Sequence, residues 1–240
     1  MGFMEKDFLE RLSQYMDLSC VQAQNTRAEI EQMVLAAGQV APAAVFALPC
    51  YTPYLAGQME RIPRVKLGGV VGFPSGAQST ALKRMEAEEL LALGCRELDM
   101  VMAIGKLKDR EIAYVEQDIR TVVKAAGDIP VKVIVEAGYL TEEELVSACR
   151  AAVRAGAQFV KSGTGWSGIP TTVEMIRCMK RAVGNSAKIK AAGGVRTLDT
   201  AIQMYRAGCE RFGISTASAL QILHQAQAVL DAPVSGKSLL

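Results

Sequence analysis

The sequence predicts an α/β chain folded as a (β/α)8 TIM barrel in one domain, residues 1–240, on three observations. Short runs rich in Val and Ile alternate with longer stretches of helical period from near residue 15 to near residue 230, which is a repeated βα unit with a mostly parallel sheet. Eight such runs occur, the number that closes a barrel. No glycine-rich G-x-G-x-x-G turn follows an early run, which argues against the doubly wound open sheet, the other parallel architecture.

The predicted strands are residues 15–19, 43–48, 65–73, 96–102, 131–137, 158–163, 188–192 and 211–215. Helical stretches lie between them. Residues 78–93 place Ala81, Leu82, Met85, Leu90 and Leu91 among acidic outer positions, and Gly94 ends the run as a helix stop. Residues 27–37 stop before Gly38, 111–126 before Gly127, and 141–155 before Gly156. Thr141 and Glu144 have the spacing of a capping box. No Pro/Gly/Ser-rich linker divides the chain; the first dozen residues and the tail 232–240 are expected to be loose.

Composition removes several classes of function. Half of the residues are apolar, and 27 basic side chains against 25 acidic leave a net charge of +2, so a disordered chain is excluded. No run of five basic residues occurs, which gives no footprint for nucleic acid. The acidic start lacks a signal-peptide core, and no apolar stretch approaches the roughly 20 residues of a bilayer span. Cys20, Cys50, Cys95, Cys149, Cys178 and Cys209 are dispersed without a C-x-x-C pair, the pattern of free thiols in a reducing compartment, and the expected location is cytoplasmic. The sole histidine, His224, sits in a helical stretch and reads as a partly exposed helix residue. Zinc sites and His-based nucleophilic sites commonly need more than one such side chain, so neither a metal nor a cofactor is expected.

In a barrel of this kind the chemistry lies at the C-terminal ends of the strands. There the sequence interrupts apolar runs with Asp99, Lys161 and Lys190, all able to point into the barrel mouth. A strand lysine is costly to bury charged, and a second ammonium beside it adds to the cost, so both effects push its pKa down. A neutral lysine can form a Schiff base, an electron sink for carbon–carbon cleavage, with Asp99 moving the protons. The competing reading is a pair of core lysines held in ion pairs by Asp99 or Glu136. Gly163 to Gly165, Gly193 to Gly194 and Gly213, with the hydroxyls of Ser215 and Thr216, bring bare backbone to the same end, where late loops cradle phosphate. The turn after Gly194 leads into a helix whose N-terminus favours an anion.

The segments around Lys161 (Phe159 to Gly165), around Lys190 (Lys188 to Thr197) and from Glu97 to Val101 resemble the signatures of deoxyribose-phosphate aldolases. Further likeness runs through Val71 to Gly76, Lys132 to Glu136, Met16 to Ser19 and Arg211 to Gly213, most of the chain in order. The resemblance implies a class I aldolase that reversibly cleaves 2-deoxy-D-ribose 5-phosphate to acetaldehyde and D-glyceraldehyde 3-phosphate. It assigns Lys161 as the Schiff-base lysine, Lys190 as the lysine that lowers its pKa, and Asp99 as the proton relay. Asp17 and Ser19 would meet the substrate hydroxyls, and Thr164, Gly165, Gly193, Gly194, Gly213 and Ser215 the phosphate. It also implies a homo-oligomer, dimer or tetramer. The chain differs from the usual family pattern at Ser162 to Gly165, where the family reads Thr-Ser-Thr-Gly, at Glu136-Ala137, and at Ile214 and Thr216. The only tryptophan, Trp166, stands beside the site either as a packing residue under the loop or as a wall at the phosphate end. The alternative function is a Schiff-base aldolase of the same family acting on another hydroxy-carbonyl compound or sugar phosphate. An isomerase using Asp99 or Glu136 as base, and a non-catalytic barrel, are the readings outside the family.

Overall fold

The computed structural model describes residues 3–232. Its centre is a closed parallel barrel in which each strand pairs with its sequence neighbour and β8 returns to β1. In chain order, α1 (Phe3–Glu10) precedes β1 (Met16–Cys20), α2 (Arg27–Val40), β2 (Ala44–Ala47), α3 (Thr52–Ala56), β3 (Lys66–Val71) and α4 (Thr80–Ala92). Then come β4 (Glu97–Val101), α5 (Ile104–Lys108), α6 (Ile112–Ala126), β5 (Val131–Ile134), α7 (Glu142–Arg154) and β6 (Phe159–Lys161). The chain closes through α8 (Val173–Val183), β7 (Lys188–Ala192), α9 (Leu198–Arg206), β8 (Cys209–Ile214) and α10 (Thr216–Asp231).

Period-two alternation decides what each strand gives to which layer. Leu98 and Met100 of β4, Val131 and Val133 of β5, and Ile189 and Ala191 of β7 are buried against the helices. Their alternates face the lumen, and that is where the charged strand residues lie. The helix starts are cut where the sequence offers an acceptor. Thr141 accepts from the Glu144 backbone while Glu144 returns a bond to the Thr141 amide, completing the capping box. Thr26 and Glu29 form a second one at α2.

Two expectations are corrected. Of the first dozen residues, expected loose, Phe3 to Glu10 form α1 and Leu12 opens a short 3-10 turn, because Phe8 and Leu9 of the helix and Leu12 of the turn are buried. The Phe8 ring stacks on Tyr205 of α9 at 4.0 Å and tilts against Phe212 of β8. The second is Gly38, which lies inside α2 rather than at its end. That helix runs on to Val40 and stops at Ala41 in a left-handed conformation, with Pro42 barring continuation. Strand limits also shift: the fifth ends at Ile134, since the chain turns at Glu136, whose φ is +51°. The eighth starts earlier, at Cys209, and Ser215 caps the following helix instead of ending the strand. Of the tail at 232–240, all but Ala232 lies outside the described residues.

Candidate active site

Six strands deliver charge into the lumen. β1 carries Asp17, β4 carries Glu97 and Asp99, β5 Lys132, β6 Lys161, β7 Lys190, and β8 the partly buried Arg211. The centre of the array is Asp99. Its Oδ2 accepts from Lys161 Nζ at 2.8 Å and from Lys190 Nζ at 2.6 Å, and its Oδ1 accepts from Lys132 Nζ at 3.1 Å. Lys190 Nζ also lies 2.6 Å from Asp17 Oδ2, an ion pair at an angle that makes no hydrogen bond. Asp17 Oδ1 accepts from Arg211 at 2.9 Å. Below them Glu97 accepts from Lys132 at 2.5 Å, from the exposed Lys66 at 2.9 Å and from Arg211 at 3.4 Å.

The lumen thus sets the four cations Lys132, Lys161, Lys190 and Arg211 against the three carboxylates Asp17, Glu97 and Asp99. An excess buried cation is relieved most cheaply by releasing a lysine proton. Burial is the largest influence on Lys190 and pushes it down; the Asp17 and Asp99 carboxylates oppose this, the Lys161 and Lys132 ammoniums add to it, and the result is about 8. For Asp99 burial alone would raise the carboxyl, but Lys132, Lys161 and Lys190 hold it well below the usual carboxylate range. Asp17 is lowered in the same way, against burial, by Lys190, Lys132 and Arg211. Lys132 is also buried, which would lower it, yet Asp99, Asp17 and Glu97 raise it and keep it charged.

Above this array the mouth holds a cavity of about 210 Å³. The residues given a catalytic or substrate-binding role in the sequence border it: Asp17, Ser19, Asp99, Lys161, Thr164, Gly165, Lys190, Gly193, Gly194, Gly213 and Ser215, whereas Gly163, Thr216, Glu136 and Trp166 do not. Lys161 and Lys190 differ in access. The Lys161 side chain is 8% exposed and opens on the cavity, whereas that of Lys190 is 1% exposed beneath it. At the other side of the mouth, Gly193 and Gly194 both have φ +90°, and a Cβ at Gly194 would stand 2.8 Å from Pro170. Glycine is needed there for the backbone to curl around the cavity. Ser215 caps α10, accepting from the Ser218 amide, and the half-open rim is completed by Arg196 before α9. Ser162 ties the two late loops together through Ala192 and Thr171.

Thr164 borders the cavity, but its hydroxyl donates to Glu136 Oε2 and its amide donates to the same carboxylate at 3.1 Å. Glu136 is therefore spent on positioning the loop, and neither lysine pairs with it. The Trp166 indole donates to the Val21 carbonyl at 2.8 Å and meets Phe73 edge-on at 6.1 Å. It pins the loop after β6 to those after β1 and β3 and does not border the cavity, which is the packing reading. His224 is exposed on α10. Lys132 and Arg211 were missed as members of the site, although Lys132 carries the signal that found Lys161, a lysine at an inward position between valines.

Fold and site together define a class: a (β/α)8 barrel with its reactive groups at the C-terminal ends of the strands, built around lysines and carboxylates. The DeoC/LacD family aldolase profile matches residues 11–219, and the chain belongs to that family. It is 40% identical over 218 residues to the deoxyribose-phosphate aldolase of Sinorhizobium medicae, covering 91% of this chain and 88% of the relative. With the deoxyribose-phosphate aldolase of Carboxydothermus hydrogenoformans it shares 42% over 210 residues, 86% of this chain and 92% of the relative. The tetrameric deoxyribose phosphate aldolase structure from Aeropyrum pernix superposes with a TM-score of 0.82 at 25% identity, covering 95% of this chain and 100% of that one.

Proposed function

We propose that the chain is a class I aldolase, a lyase that reversibly cleaves 2-deoxy-D-ribose 5-phosphate to acetaldehyde and D-glyceraldehyde 3-phosphate. The observation that carries this reading is one carboxylate oxygen, Asp99 Oδ2, shared by Lys161 at the cavity floor and Lys190 beneath it. Lys161 attacks the C1 aldehyde as the free amine, and loss of water leaves a protonated imine. Removal of the C3 hydroxyl proton then lets the C2–C3 electron pair flow into the iminium, which releases the three-carbon aldehyde and leaves an enamine. Protonation at C2 and hydrolysis release acetaldehyde and restore the amine. Asp99 moves these protons, and Lys190 holds the same carboxylate oxygen from beneath at 2.6 Å. Asp17 and Ser19 meet the sugar hydroxyls. Thr164, Gly165, Gly193, Gly194, Gly213 and Ser215 surround the phosphate, where the N-terminus of α10 and Arg196 favour negative charge.

All six cysteines are free and five are buried, which supports a reducing, cytoplasmic setting. Among the described residues no helix is long and apolar enough to cross a membrane. A dimer or tetramer is the assembly proposed, by likeness to the tetrameric relative. The test is acetaldehyde release from 2-deoxy-D-ribose 5-phosphate by the native chain and by Lys161→Arg, which keeps the charge and removes the nucleophile. Release is expected from the former and none above background from the latter. Undiminished release by Lys161→Arg would contradict the reading.

A further inference from the structure

The wall opposite the charged strands is apolar, and one residue of it touches the charge directly. Phe46 of β2 is buried and lies in register with Ser19 of β1 and Gly68 of β3. Lys190 Nζ stands 4.6 Å from the centre of its ring and Lys132 Nζ 4.9 Å, so two buried ammoniums lie against one aromatic ring. The ring fits because residue 68 is glycine. A Cβ there would lie 2.2 Å from ring carbons Cε1 and Cζ of Phe46. A second ring repeats the device lower in the lumen: the centre of Phe159 lies 5.8 Å from both Lys132 Nζ and the Arg211 guanidinium carbon.

We infer that Phe46 is a positioning residue whose ring face holds the Lys190 ammonium beneath the cavity and favours its protonated form, with Gly68 leaving the space that admits the ring. The attraction between a cation and an aromatic face is largest where water is excluded, as it is for this pair. The other titratable groups that act on Lys190 are four charged side chains and the Cys209 thiol of β8, which burial keeps protonated. Asp17 from β1 and Asp99 from β4 attract it, while Lys161 from β6 and Lys132 from β5 repel it. Arg211 from β8 engages Asp17 and so competes for the same carboxylate. The ring adds stabilisation without adding a further charge to the lumen. The catalytic consequence, a persistent positive charge beside Lys161, rests on the function proposed above; the effect on Lys190 itself does not.

The test replaces Phe46 with 4-fluoro-, 3,5-difluoro- and 3,4,5-trifluorophenylalanine, which keep the ring's shape and progressively withdraw its negative face. The Lys190 titration is read in the ligand-free protein from the 13Cε lysine resonance, assigned with Lys190→Arg. A stepwise fall in the Lys190 pKa is expected, reaching about one unit for the trifluoro ring, with the melting temperature held. A titration that stays constant across the series would overturn the inference. Gly68→Ala provides a second arm: the new methyl displaces the ring, and the Lys190 pKa falls in the same direction if the ring face matters. An unchanged Lys190 titration there also counts against it. Borohydride trapping of acetaldehyde on Lys161 in the same proteins separates the two claims, because a missing adduct with a shifting Lys190 refutes the catalytic reading and leaves the role of Phe46 standing.

Discussion

Asp99 receives three ammoniums on two oxygens while buried from water, so its charge is both expensive and indispensable. Asp99→Asn keeps the shape and removes the charge and the exchangeable proton site. Imine formation at Lys161 should persist while kcat falls about 100-fold or more, the usual cost of losing a positioned acid–base group. A native kcat in this variant would take Asp99 off the proton path. Asp99, Lys161 and Lys190 were legible in the sequence because a charged side chain inside a Val- and Ile-rich run is a rare and informative event. Lys132 gave the same signal and was passed over, although its partner Asp99 is nearer to it in sequence than to Lys161 or Lys190. Asp17 and Arg211 illustrate the limit, because strand closure alone brings β1 beside β8 and makes them partners.

At the scale of elements, α4 and α6 are joined by a buried ion pair remote from the lumen. Lys83 Nζ donates to Asp118 Oδ2 at 2.6 Å with both side chains fully buried, and Thr80 donates to the other carboxylate oxygen at 2.8 Å. Removing one partner strands a buried charge, so Asp118→Leu or Lys83→Met alone should destabilise the fold by about 3–5 kcal/mol. The double variant Lys83→Met with Asp118→Leu should recover most of that loss. Denaturant unfolding of the three proteins measures the coupling, and additive losses in the double variant would show that the two side chains are independent. The existence and order of the strands were readable from period and composition, as was α7 from its capping box. The early helix α1 was hidden because only Phe8, Leu9 and Leu12 mark it, and their partners Tyr205 and Phe212 lie at the far end of the chain. The stop at Glu136 was hidden because its left-handed turn is fixed by tertiary bonds to Thr164.

For the whole molecule, the ionised lumen ties folding to pH. Asp17 and Asp99 have folded pKa values below their ordinary 3.8, so the stability they contribute is present above that value and is lost as pH falls through the folded values. Lys190 works in the opposite sense. Its folded value of about 8 lies below the ordinary 10.5, so above pH 8 the unfolded chain binds more protons and stability rises with pH. The buried thiols of Cys95, Cys149 and Cys209 are pushed by burial from 9.0 up to about 12, so above pH 9 they deprotonate in the unfolded chain first and stability falls. The unfolding free energy should therefore rise modestly from pH 8 to 9 and turn down beyond it, with Lys190→Met removing the rise. A Lys190→Met profile parallel to the native one would contradict this assignment.

The measurement that bears most directly on the central claim is borohydride reduction in the presence of 2-deoxy-D-ribose 5-phosphate and, separately, of acetaldehyde, followed by peptide mass mapping. A reduced adduct on Lys161 with both compounds is the expected result. No adduct with either, or an adduct on another lysine, would contradict the Schiff-base role of Lys161.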